Sequence, residues 1–163
     1  MKAAKNIPSK ILSKGELLPF LNRTKLLGKS IVFTNGVFDI LHKGYLKVLS
    51  EAAGYGDILI VGINADASVK RLKGDKRPIT GQDSRALVIA SLVMVDVVII
   101  FEEDTPLELI QIIKPDVLVK GGDYTKEGIV GADIVENSNG KVIIISQEEG
   151  FSTTNIIDQM KKT

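Results

Sequence analysis

The chain has 163 residues, of which 44% are hydrophobic, so it can form a single domain, residues 1–163, with a substantial core. Its 21 Lys and Arg residues balance 20 Asp and Glu residues, and this net charge of +1 argues against nucleic acid or a membrane surface as a partner. There is no cysteine and only one histidine, which excludes disulfides, thiolate metal sites and multi-histidine metal sites. Residues 1–18 have no continuous apolar core, so we expect no signal peptide, no transmembrane span and a cytoplasmic location.

Strand-like and helix-like segments alternate along the chain. Residues 1–28 predict a helical lead-in. Strands are predicted at 31–34, 58–63, 97–101, 117–119 and 142–145, with helices at 44–54, 65–71, 84–93, 106–113 and from about 153. Short β-branched runs that alternate with helices indicate a parallel sheet covered on both faces. We therefore predict an α/β fold with a doubly wound parallel sheet of about five strands.

The segment after the first predicted strand has the strongest functional pattern. Residues 34–45 read TNGVFDILHKGY and contain the single histidine, His42. A strand, a glycine turn and a helix start place backbone N–H groups and the positive end of the helix dipole where a phosphate would bind. Gly36 and Gly44 would let the backbone approach that phosphate, and His42 would stabilise charge on a transferring phosphoryl group.

Four neighbours of His42 are further candidates for the same site: Asn35, Phe38, Asp39 and Tyr45. Asp39 could orient His42, hold Mg²⁺ through water or cap the turn, and capping is the interpretation we prefer. For Tyr45 two interpretations stay open, a neutral phosphate donor and a residue that packs at the helix start.

Ligands of open α/β sheets bind beyond the carboxyl ends of the strands, so the residues after the other strands are candidates too. Asn64 and Asp66 follow the second strand, and a basic loop with Lys73 and Arg77 comes next. These two cations are predicted to clamp a triphosphate. Arg85 begins a helix, where a cation is unfavourable for the dipole, and this suggests a binding role.

Two later segments complete the predicted site. Lys120-Gly121-Gly122-Asp123 follows a strand directly, where a glycine pair lets the backbone wrap a ligand and Lys120 supplies a point charge. Ser152-Thr153-Thr154 precedes an apolar helix, and its hydroxyls could cap that helix or donate to a phosphate. The acidic residues 102–104 would repel a triphosphate unless a metal ion intervenes.

The motifs resemble those of a known family. TNGVFDILHKGYL is similar to the HxGH segment of the nucleotidyltransferases, with Tyr45 where that signature has its second histidine. NADASVKRLKGDKRPI, FEEDTP, KPDVLVKGGDY and GFSTTNII resemble, in the same order, segments of the adenylyltransferases of ADP-heptose synthesis. The resemblance extends from about Lys29 to the C-terminus, and KGGDY and STTNII are its most specific parts.

This resemblance implies a Rossmann-like nucleotidyltransferase fold and AMP transfer from ATP to a sugar 1-phosphate, D-glycero-D-manno-heptose 1-phosphate. It implies that Mg²⁺ is held mainly by the triphosphate and not by a protein metal site. His42 would donate to the phosphates, Lys73 and Arg77 would neutralise phosphate charge, and Ser152 and Thr153 would lie over the nucleotide phosphates.

Other interpretations stay open. A cytidylyltransferase of a polyol phosphate such as glycerol 3-phosphate is the second one, and a nucleotide-binding module impaired by Tyr45 is the third. The acceptor phosphate would need Lys120 or Arg85, and Asp123 could bind sugar hydroxyls. The expected partners are small-molecule substrates, and homo-oligomerisation is left open.

Overall fold

The computed structural model describes residues 6–122, 124–146 and 153–160. A 3₁₀ turn at Pro8–Lys10 comes first, and a second one lies at Lys126–Gly128. The strands are β1 (Ile11–Leu12), β2 (Ile31–Gly36), β3 (Ile58–Asn64), β4 (Val97–Phe101), β5 (Val117–Gly121) and β6 (Lys141–Ile145). The helices are α1 (Lys14–Leu26), α2 (Lys43–Ala53), α3 (Asp66–Lys73), α4 (Gln82–Ala90), α5 (Leu107–Ile113), α6 (Ala132–Asn137) and α7 (Thr153–Met160).

The strands form one sheet in the order β1-β4-β3-β2-β5-β6, and every pairing is parallel. This confirms the predicted doubly wound parallel sheet with helices on both faces. The sheet has six strands, and the prediction of about five missed β1. That strand has only two residues, paired with Val98 and Ile99 of β4, so it leaves no apolar run in the sequence.

Alternate strand residues face opposite sides of the sheet and build two cores. Ile31 and Phe33 of β2 face α1, α5 and α6, which contribute Leu17, Leu21, Leu109, Ile110, Ile113, Ala132 and Val135. Val32 faces the other side, where α2 and α4 contribute Val48, Leu49, Ala52, Ala86, Ile89 and Ala90. The two buried faces explain why β2 to β5 read as nearly continuous apolar runs.

Two further differences from the predicted elements concern the N-terminal segment and helix α6. The predicted helical lead-in contains β1 as well as α1, and α1 begins after Ser13, whose backbone N–H donates to Glu16 Oε2 at 2.9 Å in a capping box. Helix α6 was not predicted, because its six residues are too few to show a helical period. No helix in the described ranges has the length and apolar character needed to cross a bilayer.

Candidate functional site

The turn between β2 and α2 is shaped by a close approach of Gly36 to the Phe38 ring. Phe38 is buried and has a φ of 51°, the left-handed region that side chains other than glycine rarely adopt. A Cβ added at Gly36 would lie 3.1 Å from the Phe38 ring, which is tighter than an ordinary contact. Glycine at this position therefore lets the Phe38 ring pack beside the end of β2.

His42 follows this turn as the N-cap of α2, with φ −143° and ψ 169°. Its ring stacks on Tyr45, with 4.1 Å between ring centres and an interplanar angle of 25°. The His42 Nδ1 atom is buried and has no hydrogen-bond partner among the described residues. Burial lowers the pKa of His42, so the imidazole is neutral at neutral pH, and an anion beside it would favour the charged form again.

Tyr45 stands between two cavities. It lines a pocket of about 50 Å³ together with His42, Gly44 and Phe38, and it also lines a larger cavity of about 410 Å³. Its ring centre is 4.8 Å from that of Phe38. Burial raises the pKa of the Tyr45 phenol, so the hydroxyl keeps its proton at neutral pH and can donate a hydrogen bond.

Asp39 fixes the basic loop to the β2–α2 turn. Its carboxylate is buried and accepts hydrogen bonds from Arg77 Nε at 2.7 Å, Ile79 N at 2.8 Å and Thr80 N at 2.9 Å. Burial by itself would raise the pKa of the Asp39 carboxyl, but these donors outweigh it and hold the pKa below its ordinary value. Asp39 therefore anchors a loop by capping its backbone N–H groups, and the Arg77–Pro78 peptide within that loop is cis.

The bond to Asp39 engages only Nε of Arg77, and in the described part of the chain the two terminal nitrogens have no hydrogen bond. They remain able to donate to a phosphate. Lys73 lies at the end of α3 and lines the larger cavity. Partial desolvation, helped by the charge of Arg77, lowers the pKa of the Lys73 ammonium. The predicted pair of cations thus lies at the ligand end of the sheet.

Arg85, a predicted ligand contact, does not line either cavity. Arg85 is 1% exposed, and its guanidinium donates to Val37 O at 2.5 Å, Asn64 O at 2.8 Å, Thr80 O at 2.9 Å and Asp66 Oδ1 at 2.7 Å. These bonds join the ends of β2 and β3 to the basic loop and use four of the five N–H groups of the guanidinium. Arg85 therefore holds these segments together beneath the site.

Asn64 and Asp66 both accept hydrogen bonds from Arg85. The Asn64 side chain donates to Ser68 Oγ at 3.1 Å, although Asn64 also lines the larger cavity. The Asp66 carboxylate accepts from Arg85 and does not line either cavity. Both residues were predicted as ligand contacts, and only Asn64 reaches the cavity.

The larger cavity lies over the carboxyl ends of β2, β3 and β5. Lys120 lines it, and Lys120 Nζ donates to Asn35 Oδ1 at 2.8 Å and lies 5.8 Å from the centre of the Tyr124 ring. Burial lowers the pKa of the Lys120 ammonium to about 8. The sequence did not predict the other residues that line the cavity, which are Val37, Leu72, Asp104, Thr105, Pro106, Leu118, Tyr124, Gly128, Ile129 and Val130.

The two glycines after Lys120 have different uses. A Cβ at Gly121 would lie 2.5 Å from Val48 Cγ2, so glycine lets α2 pack against the end of β5. Gly121 lines both cavities. The Gly122 N–H donates to Ile145 O at 3.0 Å and is not available to a ligand. Asp123 lies outside the described residues.

The N-termini of α2 and α7 meet at Tyr45. Thr153 begins α7, and its hydroxyl lies near the Tyr45 phenol. The hydroxyl lowers the phenol pKa and so offsets part of the increase that burial causes. The contact lacks hydrogen-bond geometry, however, and the buried Thr153 Oγ1 has no partner in the described ranges. Thr154 is exposed, and Ser152 lies outside the described residues. The positive dipole ends of the two helices would favour an anion at this junction.

The acidic segment after β4 is largely paired. Glu103 Oε1 lies 2.7 Å from Lys14 Nζ, and Asp104 Oδ1 lies 2.6 Å from Arg71 Nη2. Among the described residues, no three His, Cys, Asp or Glu side chains gather in a way that could hold a metal ion. Asp104 lines the larger cavity as a single carboxylate.

Comparisons with known proteins identify sequences similar to this chain. The Cytidylyltransferase-like family matches residues 33–159. "Bifunctional protein HldE" of Pelobacter propionicus is 53% identical over 93% of this chain, and that of Campylobacter jejuni is 55% identical over 93%. The alignments cover 31% and 32% of those two proteins, so the chain spans about a third of the length of these relatives.

Solved structures show the same architecture. A lipopolysaccharide core biosynthesis protein from Thermoplasma volcanium superimposes with a TM-score of 0.64 at 33% identity, covering 75% of this chain and 100% of that chain. The pantoate-beta-alanine ligase of Francisella tularensis superimposes with a TM-score of 0.61 at 16% identity, covering 94% of this chain and 79% of that chain. The second similarity concerns the fold alone.

Proposed function

The chain belongs to the cytidylyltransferase-like family, and on this premise we propose that it transfers AMP from ATP to D-glycero-D-manno-heptose 1-phosphate, giving ADP-heptose and pyrophosphate. The observation that carries the proposal is the junction of the α2 and α7 N-termini at His42, Tyr45 and Thr153, next to a cavity with two lysines. The substrate follows from the order of the segments KGGDY and STTNII and from the HldE relatives.

The reaction needs only positioning and charge stabilisation. An oxygen of the sugar phosphate attacks the α-phosphorus of ATP, and the bond from that phosphorus to pyrophosphate breaks in line with the new bond. No covalent enzyme intermediate is required, so the residues must hold two anions in line and neutralise the charge that moves onto pyrophosphate.

The described residues divide this work. His42 and the two helix N-termini bind the phosphates near the reacting phosphorus, and Tyr45 adds a neutral donor beside them. Lys73 and Arg77 neutralise the β- and γ-phosphates. Asp39 and Arg85 act indirectly, because they fix the loop that carries Arg77.

Mg²⁺ would enter with ATP. It would be held mainly by the triphosphate, because Asp104, the single carboxylate on the described cavity wall, is ion-paired with Arg71. The ion would neutralise phosphate charge. We place the reaction in the cytoplasm of a bacterium that makes a heptose-containing surface glycan, with small molecules as its substrates.

A substrate matrix tests the proposal. Pyrophosphate release is measured with ATP, CTP, GTP and UTP, each crossed with heptose 1-phosphate, mannose 1-phosphate and glycerol 3-phosphate. We expect turnover to be highest with ATP and heptose 1-phosphate, because a site that hydrogen-bonds sugar hydroxyls rejects acceptors that lack them. Preference for CTP with glycerol 3-phosphate would instead identify a polyol phosphate cytidylyltransferase. ATP binding without turnover in any combination would identify an impaired nucleotide-binding module.

A further inference from the structure

We propose that Lys120 binds the phosphate of the acceptor, and that the cavity of about 410 Å³ beside it is the sugar 1-phosphate site. The inference rests on the proposed function and deepens it, because it separates the acceptor site from the triphosphate site.

The two cavities share one wall. Asn35, Tyr45 and Gly121 line both the larger cavity and the pocket of about 50 Å³ beside His42. The reacting atoms of two bound substrates must come within about 3–3.5 Å of each other. If the α-phosphate of ATP lies in the small pocket at the start of α2, the acceptor phosphate must lie against this wall from the other side. Lys120 is fixed at the wall by its hydrogen bond to Asn35.

The surroundings of the Lys120 ammonium favour an incoming anion. Its hydrogen-bond acceptor is a neutral amide oxygen, and no described carboxylate lies within ion-pair distance of it. Burying a charged ammonium without a carboxylate partner costs free energy, so burial lowers the pKa of Lys120 to about 8. A phosphate beside Lys120 would replace the lost solvation and favour the charged ammonium.

The other cations near the site are less suited to this task. Arg85 is enclosed, and its guanidinium makes four hydrogen bonds to protein oxygens. Arg77 is tied to Asp39 and does not line the larger cavity. Lys73 lines the cavity from the end of α3. Lys120 instead adjoins the shared wall, because it is hydrogen-bonded to Asn35 and precedes Gly121 in the chain.

The positive charge of Lys120 at the shared wall would also assist the reaction between two anionic substrates. A sugar phosphate and the polyphosphate of ATP are both anions, and they repel each other strongly at reacting distance where water is excluded. A positive charge held between them lowers this repulsion before the reaction begins. Tyr124, whose ring lies near the ammonium, gives the cavity an aromatic wall against which the sugar could pack.

The test compares Lys120→Met, Lys120→Arg and a matched control, Lys141→Met. Lys141 is exposed at the amino end of β6, away from the carboxyl ends of the strands that border the cavity. For each variant, KM for heptose 1-phosphate, KM for ATP and kcat are measured by pyrophosphate release. Lys120→Met should raise the acceptor KM about 10- to 100-fold, the cost of one charge-assisted hydrogen bond, with the ATP KM changed less than about threefold. Lys120→Arg should restore part of the loss, and Lys141→Met should behave as wild type.

Several results would overturn the assignment. An unchanged acceptor KM in Lys120→Met with normal wild-type turnover would refute it while the proposed function stands, and so would an equal rise in both KM values. If the wild type releases no pyrophosphate with any substrate pair, the proposed function fails. Calorimetric titration of heptose 1-phosphate in the presence of α,β-methylene ATP then decides the inference. Binding by wild type but not by Lys120→Met supports it, and equal binding or no binding by both proteins overturns it.

Discussion

Replacing Arg85 by methionine tests whether Arg85 stabilises the fold or binds phosphate. Methionine keeps an apolar stem of similar length and removes every donor. Val37 O and Asn64 O are then left in buried surroundings, whereas Thr80 O and the Asp66 carboxylate lie where water can reach them.

The magnitude follows from the two buried carbonyls. Each buried polar group without a partner costs about 1–3 kcal/mol, so we expect the free energy of unfolding to fall by about 2–6 kcal/mol, with about 3 kcal/mol as the central value after partial relaxation. For a chain of this length, 1 kcal/mol corresponds to about 2–4 °C in Tm, which gives a decrease of about 6–12 °C. Arg85→Lys should lose less, because its ammonium still reaches some of the four acceptors.

Urea unfolding followed by far-ultraviolet circular dichroism measures the change, since the chain has no tryptophan for fluorescence. ATP affinity is measured by calorimetry on the folded variants. If Arg85→Met lost less than about 1 kcal/mol of stability and at the same time lost most of its ATP affinity, Arg85 would be a phosphate ligand and the structural explanation would be refuted.

Four further substitutions test the other roles. His42→Ala should lower kcat about 10²- to 10³-fold with an unchanged circular dichroism spectrum, and near-normal turnover would remove the imidazole from the reaction. Tyr45→Phe should lower kcat while Tyr45→His preserves or raises it; if Phe equals wild type, the ring only packs on His42. Lys73→Met should weaken ATP binding about tenfold with little change in Tm, and calorimetry showing full affinity would contradict the clamp. Asp39→Asn should cost stability at pH 7, and the difference from wild type should shrink as the pH falls through the lowered pKa of Asp39, because the stability from a depressed carboxyl pKa is present above the unfolded value and lost in acid. A difference in urea midpoint that stays constant between pH 7 and acid would rule this out.

The sheet could be predicted because its central strands are buried on both faces. Their residues must then be apolar over the whole length, and the runs in β2, β3 and β4 show this directly. Strand β1 could not be found, since two residues carry no period and its pairing with β4 depends on tertiary contacts. The same holds for α6, whose six residues give fewer than two helical turns.

The site was predictable where its chemistry is local. A strand, a turn and a helix start lie within a few residues of His42, so the sequence reveals the helix terminus beside the imidazole. The sequence could not reveal the contacts of Arg85, because its acceptors Val37, Asn64 and Thr80 come from three separate segments. A charge at a helix start looks the same in the sequence whether it meets a ligand or four protein oxygens.

The cavity walls were missed for a related reason. Tyr124 and Ile129 belong to a segment without a strand or a long helix, and they reach the site only because β5 ends beside Asn35. The sequence contained the segment KGGDY, but the direction of the tyrosine ring depends on the turn that follows β5.

The central place of β2 in the sheet affects how the protein folds. Val32 pairs with Leu59 on one side and with Val117 on the other, so one ladder joins near neighbours in the chain and the other joins distant segments. Closing the longer loop costs more chain entropy, and we expect β2, β3 and β4 to associate before β5 and β6 dock. The floor of the larger cavity is shared between these two halves, through Asn35 and Lys120. Substrates therefore find a complete binding surface only on the native state, and their binding free energy stabilises that state and not a partly folded one.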